Sequence, residues 1–224
     1  EVELVLLIDE EFDGSGVGIA GDLDQPDRGL ADVLADGLGQ VGCGSFFDEF
    51  LMPSLQAAVS FPQVHGVSVR VDEDLHFDVA DLEAVVGPDT RLILLNSPHN
   101  PTGKVFDADE LGHIAAVAIA HDLLVVTDEV YEHLIFDGLQ HLPLAALPGM
   151  AERTLTISSG GKSFGFTGWK IGWAHGPADL LAAVLVAKQS LTYVSGGPFQ
   201  HAMVTALHLG DDYFAELADD LQAK

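Results

Sequence analysis

The chain holds 224 residues, 48% of them hydrophobic and 20% charged, a globular composition with enough length for a substantial core in one or two domains. Thirty-five Asp and Glu against nine Lys and Arg leave a formal net charge of -26, a field that repels phosphate backbones and anionic lipid and so argues against nucleic acid and membrane surfaces as partners. Cys43 is the single cysteine, which excludes an intramolecular disulfide and any zinc site built from several thiolates, and which suits a reducing cytoplasm.

No apolar stretch reaches the length of a membrane span, and the first residues lack the basic region of a secretory signal. The chain does not begin with Met, as expected of a fragment or a processed product. Residues 1–45 carry eleven acidic residues and one basic residue, Arg28, among many glycines. After the apolar run 2–8 this stretch shows no clear period of 2 or 3.6. Gly16, Gly18 and Gly21 fit the spacing of a dinucleotide-binding turn, which must lead into a helix whose amides face a pyrophosphate. Asp22, Asp24, Pro26 and Asp27 follow instead. Their charge repels phosphate and the proline breaks an early helix, so the cluster reads as a glycine-rich loop.

From residue 46 the pattern is regular. Residues 51–60 are expected to form a helix and 67–71 a strand. Residues 78–86 start on an acid and carry apolar residues at helical spacing. Residues 91–95 read as a buried strand, and 107–121 as a helix with Asp107 as N-cap and Glu110 three residues on. Strands follow at 123–127 and 154–158, and a helix at 178–190. The alternation of strand and helix predicts an α/β fold with a mostly parallel sheet flanked by helices.

Three polar segments each follow a predicted strand, and ligands of open α/β sheets collect at the carboxyl ends of strands. In residues 96–104 (NSPHNPTGK) two prolines and a glycine stiffen the backbone, so that an amide such as that of Asn100 is held in place. In residues 126–131 (VTDEVY) Asp128 ends an apolar strand, where a carboxylate needs a cationic or hydrogen-bonding partner. Tyr131 lies three residues on and shares the face of a turn. In residues 158–170 (SSGGKSFGFTGWK) Lys162 sits in a loop of glycine, serine and aromatic residues, a setting for an amine nucleophile. Ser159 and Lys170 flank it as a hydroxyl and an ammonium suited to one phosphate. A reactive lysine, an acid for a pyridine nitrogen, a phenol and an amide for a ring oxygen, and a phosphate pair together describe pyridoxal 5'-phosphate.

Residues 96–103 (NSPHNPTG), 128–131 (DEVY) and 159–172 (SGGKSFGFTGWKIG) resemble the class I/II aminotransferases of pyridoxal-phosphate fold type I. The closest flavour is the branch of kynurenine/glutamine and succinyldiaminopimelate aminotransferases, which residues 137–156 and 191–200 also resemble. The likeness runs from about residue 46 to 224. It implies that 46–224 are the central part of the cofactor-binding large domain of a transaminase, with the C-terminal small domain missing. It further implies a Schiff base of the cofactor on Lys162, Asp128 on the pyridine nitrogen, Tyr131 and Asn100 on the ring oxygen, Ser159 and Lys170 on the phosphate, and Val130 under the ring. The implied reaction moves an amino group from an amino acid to a 2-oxo acid, with Lys162, Asp128 and Tyr131 as the catalytic group. The expected assembly is a homodimer in the cytoplasm, with no metal, nucleic acid or membrane partner.

Two alternatives stand beside this reading. One is a carbon–sulfur lyase of the same fold, since both reactions start from the same adduct. The other is a truncated, non-catalytic fragment that binds the cofactor weakly. Residues 1–45 match nothing in the family, neither its phosphate-binding glycine turn nor its ring-stacking aromatic. No arginine follows Arg153, so the family's guanidinium for the substrate carboxylate is missing from that stretch.

Overall fold

Residues 90–96 (TRLILLN) carry an unbroken apolar run from Leu92 to Leu95, and a strand of that kind must be covered on both faces. In the computed structural model, which describes residues 4–9, 64–69, 71–72, 74–191 and 196–224, this segment is an inner strand of a six-stranded sheet. The strands are β1 (Leu4–Asp9), β2 (Val64–Val69), β3 (Thr90–Asn96), β4 (Leu124–Asp128), β5 (Thr154–Ser159) and β6 (Gly172–His175), in the spatial order β2-β1-β3-β4-β5-β6. β3, β4 and β5 run parallel, and β6 lies antiparallel on β5, so that half of the sheet is mostly parallel. β1 pairs antiparallel with both β2 and β3.

The helices are α1 (Val79–Val85), α2 (Ala108–Ala120), α3 (Gly160–Ser163), α4 (Ala178–Leu191), α5 (Gly197–Ala206) and α6 (Asp211–Gln222). The start of α2 is written in the sequence. The Asp107 carboxylate accepts from the Glu110 amide at 2.8 Å, and the Glu110 carboxylate accepts from the Asp107 amide at 3.0 Å, a complete capping box. Asp78 caps α1 in the simpler way, accepting from the Ala80 amide at 2.8 Å.

Alternate residues of the inner strands serve opposite faces. Ile93, Leu95 and Val125 join Leu82 of α1 and Leu111, Ile114 and Ala118 of α2 in one core, which Phe77, Phe106, Leu144 and Met150 close. On the strands, Leu92, Leu94, Val126, Leu155 and Ile157 are buried as well.

The strands expected at 91–95, 123–127 and 154–158 and the helices at 78–86, 107–121 and 178–190 are present within a residue or two. The strand expected at 67–71 starts earlier and ends at Val69. Four of the described elements were not anticipated: α3, where a loop was expected around Lys162, and β6, α5 and α6. β6 is a four-residue edge strand, too short to show a period of 2. Part of the apolar run 2–8 forms β1, whose neighbours are far away in sequence. The helix expected at 51–60 and the Gly16–Gly18–Gly21 cluster lie outside the described residues. No described helix is long and apolar enough to cross a membrane.

Candidate active site

Parallel pairing sets the carboxyl ends of β3, β4 and β5 side by side. Asn96 pairs in register with Asp128, and Asp128 with Ile157, two residues short of Ser159. The three polar segments therefore leave the sheet along one edge, where strand polarity gathers ligand-binding loops.

The first loop is bent onto the second by Asn96. Its Oδ1 accepts from the Asn100 amide at 2.9 Å, and its Nδ2 donates to the Asp128 carbonyl at 3.0 Å. The Ser97 amide donates to the same carbonyl at 3.1 Å. The peptide bonds before Pro98 and Pro101 are cis. The far end of the loop is locked by Lys104, whose buried ammonium donates to both oxygens of Glu110 at 2.8 and 3.0 Å. His76 Nδ1 lies 2.9 Å from the same carboxylate. His76, Asp107 and Glu110 gather ligand atoms within 4.8 Å of one another, but the Lys104 ammonium is already the cation of that cluster.

Asp128 is nine-tenths buried at the end of β4, and its Oδ1 accepts from the Val130 amide at 3.3 Å. Val130 is buried behind it. The chain then turns, with the Glu132 amide donating to the Glu129 carbonyl at 2.9 Å. That turn presents Tyr131, half-buried, with its hydroxyl 3.5 Å from Asn100 Nδ2. The Lys162 ammonium stands 5.5 Å from the centre of the Tyr131 ring.

The third segment is a return loop. β5 ends at Ser159, the one-turn helix α3 carries Lys162, and β6 brings the chain back with Gly172 opposite Ser159. Ser159 caps α3, its Oγ accepting from the Gly161 amide at 3.2 Å. Lys170 precedes β6 by two residues and therefore comes back towards Ser159. Its backbone is left-handed (φ 52, ψ 50), a conformation that costs a residue with a Cβ about 1–2 kcal/mol. Thr167 donates to the Gly161 carbonyl at 3.1 Å and ties the two limbs together. Rings pack along the outside: Phe164 on Phe166, Phe166 on Trp169 and Trp169 on Phe199, with centroids 6.0, 4.8 and 4.4 Å apart. Gly160 gives this packing room: a Cβ there would stand 2.6 Å from Met203 Sδ and 2.9 Å from the Phe166 ring, and those side chains would have to shift.

Asn100, Asp128, Val130, Tyr131, Ser159, Lys162 and Lys170 thus lie on three adjacent loops of one sheet edge. The set offers a buried acid, a phenol with an amide at its hydroxyl, an amine beside the phenol, and a hydroxyl with an ammonium on a hairpin. These donors fit pyridoxal 5'-phosphate. Asn96, which bridges two of the loops, stood at a strand end in the sequence with no signal beyond its place in the motif. The 191–200 motif lies partly outside the described residues.

The two arginines among the described residues are elsewhere. Arg91 donates to the Pro88 and Thr90 carbonyls, and Arg153 to Asp122 and to the Gly149 and Leu123 carbonyls. Both stand at the amino ends of parallel strands, across the sheet from the site. Among the described residues no guanidinium reaches it.

The family model described as "Aminotransferase class I and II" matches residues 52–224. A probable N-succinyldiaminopimelate aminotransferase of Mycobacterium tuberculosis is 49% identical over 191 residues, 84% of this chain and 48% of that protein. Kynurenine–oxoglutarate transaminase 3 of Mus musculus is 43% identical over 158 residues, 67% of this chain and 35% of that protein. Among solved structures, the N-succinyldiaminopimelate aminotransferase from Mycobacterium tuberculosis superposes with a TM-score of 0.72 at 47% identity, over 87% of this chain and 52% of that one. The aspartate aminotransferase from Rhizobium meliloti gives 0.71 at 26%, over 86% of this chain and 50% of that one. The chain spans about half the length of the first of these relatives.

Proposed function

The chain belongs to the class I and II aminotransferase family, and from that premise we propose that it is the cofactor-binding part of an enzyme that moves an amino group from an amino acid to a 2-oxo acid. The observation that carries this reading is the convergence of Asp128, Tyr131, Asn100 and Lys162 on one sheet edge, with the Tyr131 hydroxyl at Asn100 and the Lys162 ammonium beside the Tyr131 ring.

Pyridoxal 5'-phosphate, when bound, supplies the electron sink for the substrate α-carbon. In this reading Lys162 is the covalent anchor and carries the proton at its Nζ. Asp128, held in a low-dielectric position by the Val130 amide, sets a negative charge where a protonated pyridine nitrogen needs one. Tyr131 and Asn100 orient the ring oxygen, and Val130 packs under the ring. Ser159 and Lys170 close on the phosphate, a role supported by the pairing of Ser159 with Gly172, two residues after Lys170. Residues 46–224 are then the central part of the large domain, and residues 1–45 lie outside the family's pattern. The substrates are small amino and 2-oxo acids, the assembly a homodimer, and the single cysteine suits the cytoplasm.

A second reading, cofactor binding without turnover, is favoured by the position at the opposite edge of Arg91 and Arg153, the two arginines among the described residues. A substrate carboxylate without a guanidinium fork loses both affinity and orientation.

The deciding experiment is a pyridoxal-phosphate titration, then borohydride reduction and peptide mass mapping. The proposal expects a saturable visible band with the label on Lys162. Label spread over Lys104, Lys170, Lys188 and Lys224, or no band, would defeat it. Addition of amino acids to the loaded chain then separates the readings. Loss of the band with release of a 2-oxo acid marks transamination, and an unchanged band marks binding alone.

A further inference from the structure

We propose that Glu132–Ser158 and Glu129–His141 are paired braces that position Tyr131 and Asp128 against Lys162, and that Ser158 and His141 are therefore positioning residues for the cofactor; this rests on the cofactor reading above. Tyr131 lies in a turn between Glu129 and Glu132, and both carboxyl groups reach away from the turn to fixed partners. Ser158 Oγ donates to Glu132 Oε1 at 2.5 Å. Ser158 belongs to β5, one residue before Ser159 and four before Lys162, so this bond ties the turn carrying the phenol directly to the strand carrying the amine. The 5.5 Å separation of Lys162 Nζ from the Tyr131 ring then follows from a short closed path rather than from loop packing alone.

The second brace works from the other side. Glu129 is 2% exposed, its amide donates to the Ile157 carbonyl at 2.9 Å, and its Oε2 lies 2.7 Å from His141 Nε2. An Nε2–H donor satisfies that carboxyl group and leaves Nδ1 as a buried acceptor without a partner among the described residues, the milder of the two possible deficits. Glu129 directly follows Asp128, so a rotation at Glu129 would carry Asp128 with it. A buried carboxyl group bonded on both its backbone and its side chain resists that rotation.

Neither the Ser158 nor the His141 side chain is among the groups that would hold the cofactor, so their removal separates positioning from contact. The test is a pyridoxal-phosphate titration of the full chain and of Ser158→Ala, Ser158→Thr, His141→Leu and His141→Gln, reading dissociation constant, absorption maximum and far-ultraviolet circular dichroism. Threonine keeps the hydroxyl, and glutamine keeps a donor near the place of Nε2. The expected result is roughly ten-fold weaker binding and a displaced absorption maximum for the alanine and leucine variants, at native circular dichroism, with recovery in the threonine and glutamine variants. Folded Ser158→Ala and His141→Leu variants with the parent's constant and spectrum would overturn the braces and leave the cofactor reading intact. A parent chain without a saturable band would overturn the cofactor reading and this inference with it. Should His141→Leu not fold, Ser158→Ala, which removes one oxygen atom, decides the matter alone.

Discussion

Lys170 combines two properties that a single substitution separates. Its left-handed backbone is unfavourable for a residue with a Cβ, and its place two residues before Gly172, which pairs with Ser159, makes its ammonium the phosphate ligand of the proposed site. Lys170→Gly removes the strain and the charge together. Its stability should stay the same or rise by up to about 1 kcal/mol, part of the relief being offset by the freedom glycine gains when unfolded. Pyridoxal-phosphate affinity should fall roughly ten-fold with the loss of a charge-assisted contact to phosphate. Denaturant unfolding and a cofactor titration read the two effects independently, and a drop in both would show that the ammonium holds the loop rather than the ligand. Lys162 and Tyr131 stand out in the sequence because few residue types do their chemistry. Asn96 does not, since its role is to join two loops that meet only after β3 and β4 have paired.

At the scale of elements, the start of α2 and the end of the NSPHNPTGK loop share one carboxylate. Glu110 completes the capping box and neutralises Lys104. Asp107→Ala removes the acceptor for the Glu110 amide and should cost about 1 kcal/mol of stability by denaturant unfolding. Lys104→Met removes the cation from a buried carboxylate and should cost about 3 kcal/mol, near the low end for a broken buried pair because His76 and the Asp107 amide still reach Glu110. The second loss should also loosen the Asn100 loop, which a weaker cofactor titration at full foldedness would register. The cap was legible because its two residues are three apart. The ion pair was not, since nothing in six residues of spacing says that a lysine will turn inward.

At the scale of the molecule, the charge of -26 acts on the folded state as a whole. Compaction brings like charges together, and salt screens them within about 10 Å at 0.1 M. Stability should therefore rise between low salt and roughly 0.5 M sodium chloride, and a flat response in thermal melts would contradict this. Two histidines add a pH dependence. Burial holds His99 below the ordinary value of 6.5. His133, stacked on Phe214 at 3.7 Å, is lowered first by burial and further by His141, while Glu132 and Asp211 oppose the shift. A histidine lowered in the folded chain takes up its proton first in the unfolded chain. Its contribution is complete above 6.5 and is lost as the pH falls from there through the lowered folded value. Unfolding midpoints should drop over that window, and His133→Gln should flatten part of the slope.

Local chemistry alone determined much of this protein. Periodicity marked the inner strands and three of the helices, a three-residue spacing marked the α2 cap, and the residue types of three loops carried the family resemblance, because each signal is carried by neighbours along the chain. Only the tertiary structure decided the rest. Parallel register set the three loops on one edge, the antiparallel return of β6 brought Gly172 opposite Ser159, and strand direction left Arg91 and Arg153 at the opposite edge. Pairing between distant strands and the direction a buried side chain takes depend on what lies across the core, and no short stretch of sequence contains that information.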